Sequence, residues 1–190
     1  AAVVAAGSVN GGDLKAAQAG LSGAVFQMFN HGTISAMLFI LVGVVYERAH
    51  HRDIDGFGGL ASQMPIYTGI TALAFFAGLG LPGFSGFVSE AMCFIGAFPV
   101  FKSIVILSTI GILLNAAYFL WAFQRIFFGK LNEKYNKMEE INRIELFTVI
   151  PLAIITIFFG IYPGPYLDLI KATMDMIVET VAIATSFATL

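Results

Sequence analysis

The stretch LGLPGFSGFVSE, residues 79–90, interrupts an apolar region and places a carboxylate beside the interruption. Pro82 lacks a backbone donor and clashes with the preceding helical turn, and Gly83 lets the freed backbone turn sharply. The surrounding apolar region, residues 66–100, exceeds one membrane crossing but is too short for two crossings and a loop. We therefore predict one span made of two half-helices that separate at Pro82 and Gly83, rather than a simple proline kink.

The composition is that of a membrane protein. Hydrophobic residues make up 58% of the 190 residues and charged residues 12%, against roughly 25% charged residues in soluble domains. So few charges would leave a large apolar surface in water, which indicates an integral membrane protein in contact with lipid. The net charge of −2 gives no indication of nucleic-acid binding.

The sequence carries no pattern for a bound cofactor or metal. It has no nucleotide-binding loop, no nucleophile–base pair and no flavin, haem or iron–sulfur signature, so we expect no redox chemistry in this chain. The single cysteine, Cys93, sits in an apolar run and is expected to be a core residue. His50 and His51 are adjacent but lack a suitably spaced third ligand, so we expect no metal site.

The hydropathy pattern predicts an all-α, polytopic transmembrane helix bundle of about four spans, one of them broken, in a single membrane domain over residues 1–190. The predicted order is a helix stub and loop (1–20), a span (21–46), the broken span (66–100), two further spans (103–128 and 146–162) and an amphipathic tail (163–190). In the tail, Asp168, Lys171, Asp175 and Glu179 fall on one helical stripe. We expect this helix to lie along the membrane surface, with packing on a neighbouring subunit as the alternative.

Basic residues predict the orientation. The loops 46–65 and 129–145 hold more Lys and Arg than the opposite side of the predicted bundle. Because basic residues accumulate on the cytoplasmic side, we expect both loops to be cytoplasmic.

Glu90 is the strongest candidate for a functional group. An ionised side chain at the bilayer centre costs roughly 2.5–3.5 kcal/mol, so such residues usually face a protein interior or a water path. Glu90 lies shortly after Gly86 in the second half-helix, whose N-terminal dipole favours a carboxylate while dehydration opposes its charge. We predict that Glu90 takes up and releases protons. A structural pair with a basic residue is the alternative.

His31 is the second candidate, because imidazole donates, accepts and titrates near physiological pH. Gln27 and Ser35 lie one turn before and after it, at i−4 and i+4, and form a polar strip that can order water. Asn30 and Thr33 are placed near this strip but off it. We predict a proton relay through His31, with a satisfied core histidine as the alternative.

Asn115 and Tyr118 lie three residues apart in the third span. We expect them to support the site with hydrogen bonds across helices, which is the commoner use of such residues in membranes. A part in the relay itself is the less favoured alternative.

Several stretches resemble the antiporter-like M subunits of bacterial respiratory complex I, whose mitochondrial counterpart is subunit 4 of NADH dehydrogenase. They are GAVFQMFNHGTISAMLFILVGVVYERAHHRDIDGFGGLASQMP (23–65), LGLPGFSGFVSEAMCFIGAF (79–98), FQRIFFG (123–129) and GIYPGPYLD (160–168). The resemblance implies inverted helix repeats that each contain one broken helix. It implies that His31 and Glu90 match a histidine and a carboxylate on the family's buried proton path, and that flavin, iron–sulfur clusters and quinone belong to partner subunits.

The resemblance also implies what this chain does and lacks. A further family histidine is expected near Ala5, where the sequence has none, and the family's central lysines belong to helices outside these residues. We therefore expect a fragment or one half of a split subunit. The predicted function is proton translocation in the bacterial inner membrane as a subunit of NADH–quinone oxidoreductase, beside neighbouring antiporter-like subunits. The alternatives are a multisubunit cation/proton antiporter, a membrane-bound hydrogenase, or a purely structural helical anchor.

Overall fold

The computed structural model describes residues 13–188. Within that range the chain is helical and contains no strand, as the predicted all-α bundle requires. The stub expected over residues 1–12, which includes Ala5, lies outside the described residues. The helices are α1 (Leu14–Ala49), α2 (Pro65–Gly78), α3 (Ser85–Ala97), α4 (Lys102–Phe127), α5 (Arg143–Ile161) and α6 (Gly164–Ala188).

Three of these helices are long and apolar enough to cross a membrane: α1, α4 and α5. The two shorter apolar helices, α2 and α3, follow each other in the chain and form the two halves of the predicted broken span. The three long helices and the broken span correspond to the four spans that the sequence predicts.

Helix α1 begins earlier than the predicted span 21–46. Asp13 caps it by accepting a hydrogen bond from the backbone N–H of Ala16 at 2.9 Å, so the helix starts at Leu14. Residues 14–20, which we expected in a stub and loop, are therefore the first turns of α1. The helix ends where His50 adopts a left-handed conformation with φ 59°.

The break in the second span has a specific backbone cause. Gly80 has φ 70°, and the N–H groups of Leu81 and Gly80 bond back to the carbonyls of Phe76 and Ala77, both at 3.2 Å. This is a Schellman motif, which ends a helix at a left-handed glycine. Pro82 then prevents the helix from resuming, and Gly83, with φ 100°, redirects the chain into α3. The predicted break at Pro82 and Gly83 is present, but Gly80 ends the first half-helix.

Glycines bring the neighbouring helices into close contact with the broken span. A Cβ on Gly23 of α1 would lie 2.6 Å from the Cβ of Met92, and one on Gly96 of α3 would meet the backbone of Gly20. In α5, a Cβ on Gly160 would meet the carbonyl oxygen of Gly83 in the break. Small residues at these positions let backbones approach without a side chain between them.

The loops after α1 and α4 meet at one end of the bundle. Arg48 forms a two-pronged pair with Glu145, with both N–O distances 2.9 Å, and also donates to the carbonyls of Glu139 and Glu140. The Glu140 carboxylate accepts hydrogen bonds from the N–H groups of Ile66 at 2.8 Å and Tyr67 at 3.1 Å. These contacts tie the ends of α1, α2 and α5 together and place both predicted cytoplasmic loops on the same side.

The tail forms α6, which packs beside the first turns of α1. Met174 and Val178 are buried against Ala17 and Leu21. A hydrogen bond from Gln18 to Asp175 reinforces this contact. Part of the stripe that we expected at the membrane surface is thus in contact with α1 of the same chain.

Candidate functional site

Glu90 lies in the second turn of α3, directly over the break. Its Oε1 accepts a hydrogen bond from Nε2 of Gln27 in α1 at 3.4 Å. Its Oε2 lies so close to the loop that a Cβ on Gly80 would approach it to 2.8 Å. Glu90 is partly buried, and the contacts of its carboxylate among residues 13–188 include no salt bridge. Because Gly80 has no side chain, the interrupted backbone leaves space for the carboxylate.

The groups behind Glu90 form a polar cluster between α1 and α3. The Ser89 hydroxyl donates a hydrogen bond to Oε1 of Gln27. Asn30, which is fully buried, donates from Nδ2 to the Ser89 hydroxyl at 2.8 Å and to the Ser85 carbonyl at 3.0 Å. Because buried polar groups are costly unless they are hydrogen-bonded, this cluster fixes how the two helices face each other.

Sequence reasoning missed Asn30, Ser85 and Ser89. The i±4 spacing around His31 places Asn30 off the strip, but Asn30 lies at i+3 from Gln27 and therefore shares a helix face with it. The usable signal was the stripe Gly20, Gly23, Gln27 and Asn30, in which small residues precede two amides. The matching stripe in α3 holds Ser85, Ser89, Met92 and Gly96.

His31 and Ser35 lie beside this cluster without joining it. The hydroxyl of Ser35 is 3.4 Å from Nδ1 of His31, and the His31 side chain is exposed in the described chain. Gln27, in contrast, turns towards α3. The predicted strip is therefore divided into a Gln27 end that contacts Glu90 and a His31 end that faces away from the described helices.

Asn115 and Tyr118 have different environments. Asn115 of α4 donates from Nδ2 to the Gly78 carbonyl at 2.9 Å, so it binds a free carbonyl at the end of α2. This is the hydrogen bond across helices that the sequence predicts. Tyr118 is exposed and stacks on Phe119 with ring centroids 4.9 Å apart.

His50 and His51, whose ring nitrogens could bind a metal, lie away from this cluster at the end of α1 and in the loop after it. His51 forms a hydrogen bond with the hydroxyl of Tyr135 and stacks on Phe57 at 4.5 Å. Across residues 13–188, the His, Cys, Asp and Glu side chains form no group of three that could hold a metal ion.

This chain spans about a third of the length of the known proteins that it matches. It is 40% identical to NADH-quinone oxidoreductase subunit M of Rhodobacter capsulatus over 174 residues, which is 91% of this chain and 34% of that protein. It is 36% identical to NADH-ubiquinone oxidoreductase chain 4 of Chondrus crispus, over 86% of this chain and 33% of that protein. It is also 37% identical to F(420)H(2) dehydrogenase subunit M of Methanosarcina mazei, over 85% of this chain and 33% of that protein.

Solved structures of respiratory membrane complexes contain a similar fold. A chain of respiratory complex I from Thermus thermophilus with bound NADH aligns with a TM-score of 0.76 at 26% identity, over 88% of this chain and 36% of that one. A chain of the archaeal membrane-bound sulfane sulfur reductase aligns with a TM-score of 0.73 at 21% identity, over 80% of this chain and 25% of that one, and shows the fold alone. The family model described as NADH:quinone oxidoreductase/Mrp antiporter, TM, matches residues 11–115. With more than half of its residues in that match, the chain belongs to this transmembrane family.

Proposed function

We propose that this chain is part of a proton-translocating membrane subunit of an NADH–quinone oxidoreductase. The observation that carries the proposal is the placement of Glu90 over an interrupted helix, with Gln27 as its partner and with no salt bridge to it among residues 13–188. A carboxylate at this depth is costly unless it faces protein or water, and its charge is what a translocated proton neutralises.

In this proposal the helix break and the polar residues near it each contribute to proton transfer. The Schellman motif at Gly80 ends α2 and opens the space that the carboxylate occupies. Asn115 satisfies the Gly78 carbonyl, so the interrupted backbone is stable at membrane depth. Glu90 takes up a proton from one side and releases it to the other. His31 passes protons along the membrane plane towards helices outside the described residues.

Electron transfer belongs to other subunits in this proposal. Flavin, iron–sulfur clusters and quinone are held by partner subunits, and neighbouring antiporter-like subunits flank this one in the bacterial inner membrane. The loops 46–65 and 129–145, which meet at one end of the bundle, face the cytoplasm. The names of the relatives favour a subunit of a respiratory complex over a cation/proton antiporter, although the family description includes both.

Purification of the native assembly tests the proposal. The full-length subunit that contains this chain, tagged and extracted from its own membranes, is expected to bring down peripheral subunits with flavin and iron–sulfur absorbance. An assembly that lacks both chromophores and exchanges Na⁺ for protons would instead identify the antiporter. Absorbance spectra and subunit masses distinguish the two.

The substitution His31→Ala tests the relay. We expect proton transfer through this subunit of the intact complex to slow about ten- to a hundredfold, since a positioned proton-transfer group typically contributes 10²–10⁴-fold and water replaces part of it. His50→Ala, which removes a loop histidine, is the matched control and should pump normally. Wild-type pumping in His31→Ala would reduce this residue to a packing group.

A further inference from the structure

The polar cluster between α1 and α3 has a direction. Asn30 donates to the Ser89 hydroxyl, Ser89 donates to the carbonyl of Gln27, and Gln27 donates to the Glu90 carboxylate. Every link of this chain therefore points its donor towards Glu90. Hydrogen bonds in such a chain polarise one another, and the last of them reaches a charged acceptor.

This chain of hydrogen bonds is unsuited to conducting protons itself. Two of its three donors are the side-chain amides of Asn30 and Gln27, which hold their N–H protons instead of passing them on. Its far end is fixed, because Asn30 also donates to the Ser85 carbonyl at 3.0 Å and is fully buried. A hydrogen-bond chain that is fixed at one end and points its donors at a carboxylate can hold that carboxylate in one position.

We propose that Gln27, Ser89 and Asn30 are positioning residues that hold the Glu90 carboxylate over the helix break through one directed chain of hydrogen bonds. This inference rests on the proposed function of Glu90 and adds the device that orients it. Gln27, which the sequence placed in a water-ordering strip with His31, acts on Glu90 instead.

The lengths of the hydrogen bonds indicate which one breaks first when Glu90 is protonated. The contact between Gln27 and Glu90, at 3.4 Å, is the longest link. A protonated carboxyl is a poorer acceptor than a carboxylate, so this link is the first to break when Glu90 takes up a proton. The Ser89 hydroxyl can then turn to its other acceptors, the Gly86 carbonyl at 3.0 Å and the Ser85 carbonyl at 3.2 Å. Position and protonation of Glu90 are thereby coupled.

Two polar atoms at the Asn30 end of the hydrogen-bond chain can form further hydrogen bonds. The Oδ1 of Asn30 and the hydroxyl of Ser85 are both buried and have no hydrogen-bond partner among the described residues. They belong to two residues that are already joined by the hydrogen bond from the Asn30 side chain to the Ser85 backbone carbonyl. Asn30 therefore retains an acceptor and Ser85 a donor, and these two groups can form new hydrogen bonds when Ser89 turns.

Proton pumping by the full complex in liposomes, driven by its own electron donor and quinone, tests the inference. Ser89→Ala and Gln27→Met each interrupt the hydrogen-bond chain at one residue, which removes the two links of that side chain with little change in volume. We expect each to slow proton transfer through this subunit about two- to tenfold, the equivalent of one lost hydrogen bond to Glu90. The number of protons pumped per electron by the complex should fall accordingly. Thr156→Val is the matched control and should pump normally, because it removes a buried hydroxyl whose hydrogen bond among residues 13–188 lies within α5.

The double variant Gln27→Met with Glu90→Gln separates positioning from a general loss of packing. If Gln27 acts through Glu90, the double variant pumps no less than Glu90→Gln alone. A further loss in the double variant, or normal pumping by both Ser89→Ala and Gln27→Met beside a defective Glu90→Gln, would overturn the inference and leave the proposed function intact. Normal pumping by Glu90→Gln itself would overturn the proposed function. Complex abundance, measured on native gels, identifies variants that fail to assemble. If Ser89→Ala or Gln27→Met fails to assemble, the other of these two variants gives the result.

Discussion

Gly160→Ala is expected to destabilise the membrane subunit by about 1–3 kcal/mol, the usual effect of overfilling a packed interior. A Cβ at this position would meet the Gly83 carbonyl oxygen and the backbone of Phe84. Backbone atoms cannot rotate away as the end of a flexible side chain can. The added methyl group must therefore push α5 away from the helix break.

The consequence reaches the functional site because the break and Glu90 are contiguous. A displaced Gly83–Phe84 segment changes the start of α3 and with it the position of Glu90. We expect less intact complex in the membrane and a lower melting temperature of the complex that remains. Native gels and a thermal-shift series measure both.

Gly111→Ala is the matched control for Gly160→Ala. Gly111 also lies inside a membrane helix, but a Cβ there meets nothing within 4 Å in the described part of the chain. Since alanine is the better helix former, this variant should be neutral or slightly stabilised. Equal stability of the two variants would show that the contact between α5 and the break does not hold the site together.

The sequence predicted those features that depend on local chemistry. Length and hydropathy were sufficient for the spans, and the Pro82–Gly83 pair was sufficient for the break, because both follow from properties of a short segment. Glu90 stood out because a carboxylate is rare at this depth. The hydrogen bond from Asn115 was also expected from its type and position alone.

Features that depend on which helix faces which were not predicted. Asn30 and Ser89 lie 59 residues apart, and Arg48 and Glu145 lie 97 residues apart. Helical periodicity places Gln27 equally well beside His31 or Asn30. The close approach at Gly23 and Gly96 decides which face of α1 contacts α3, and it turns Gln27 and Asn30 towards α3.

Glu90→Gln is expected to have the largest functional effect. The substitution keeps the size and the contact with Gln27 but removes the group that changes charge. A proton-transfer residue typically contributes 10²–10⁴-fold, so the route through this subunit should slow by about that factor. The complex should assemble normally, because no salt bridge of the described residues is lost.

Glu133→Gln is the control for Glu90→Gln. Glu133 lies exposed in the loop between α4 and α5, away from the break, so the same chemical change there should alter neither assembly nor pumping. A defect in Glu133→Gln as large as that of Glu90→Gln would mean that the loss of any carboxylate disturbs the subunit.

The number of protons pumped per electron, measured in liposomes that contain the purified complex with Glu90→Gln, tests the central claim most directly. The account predicts normal assembly together with a clear fall in this ratio relative to wild type and to Glu133→Gln. A Glu90→Gln complex that oxidises its donor and pumps protons at the wild-type ratio would contradict it.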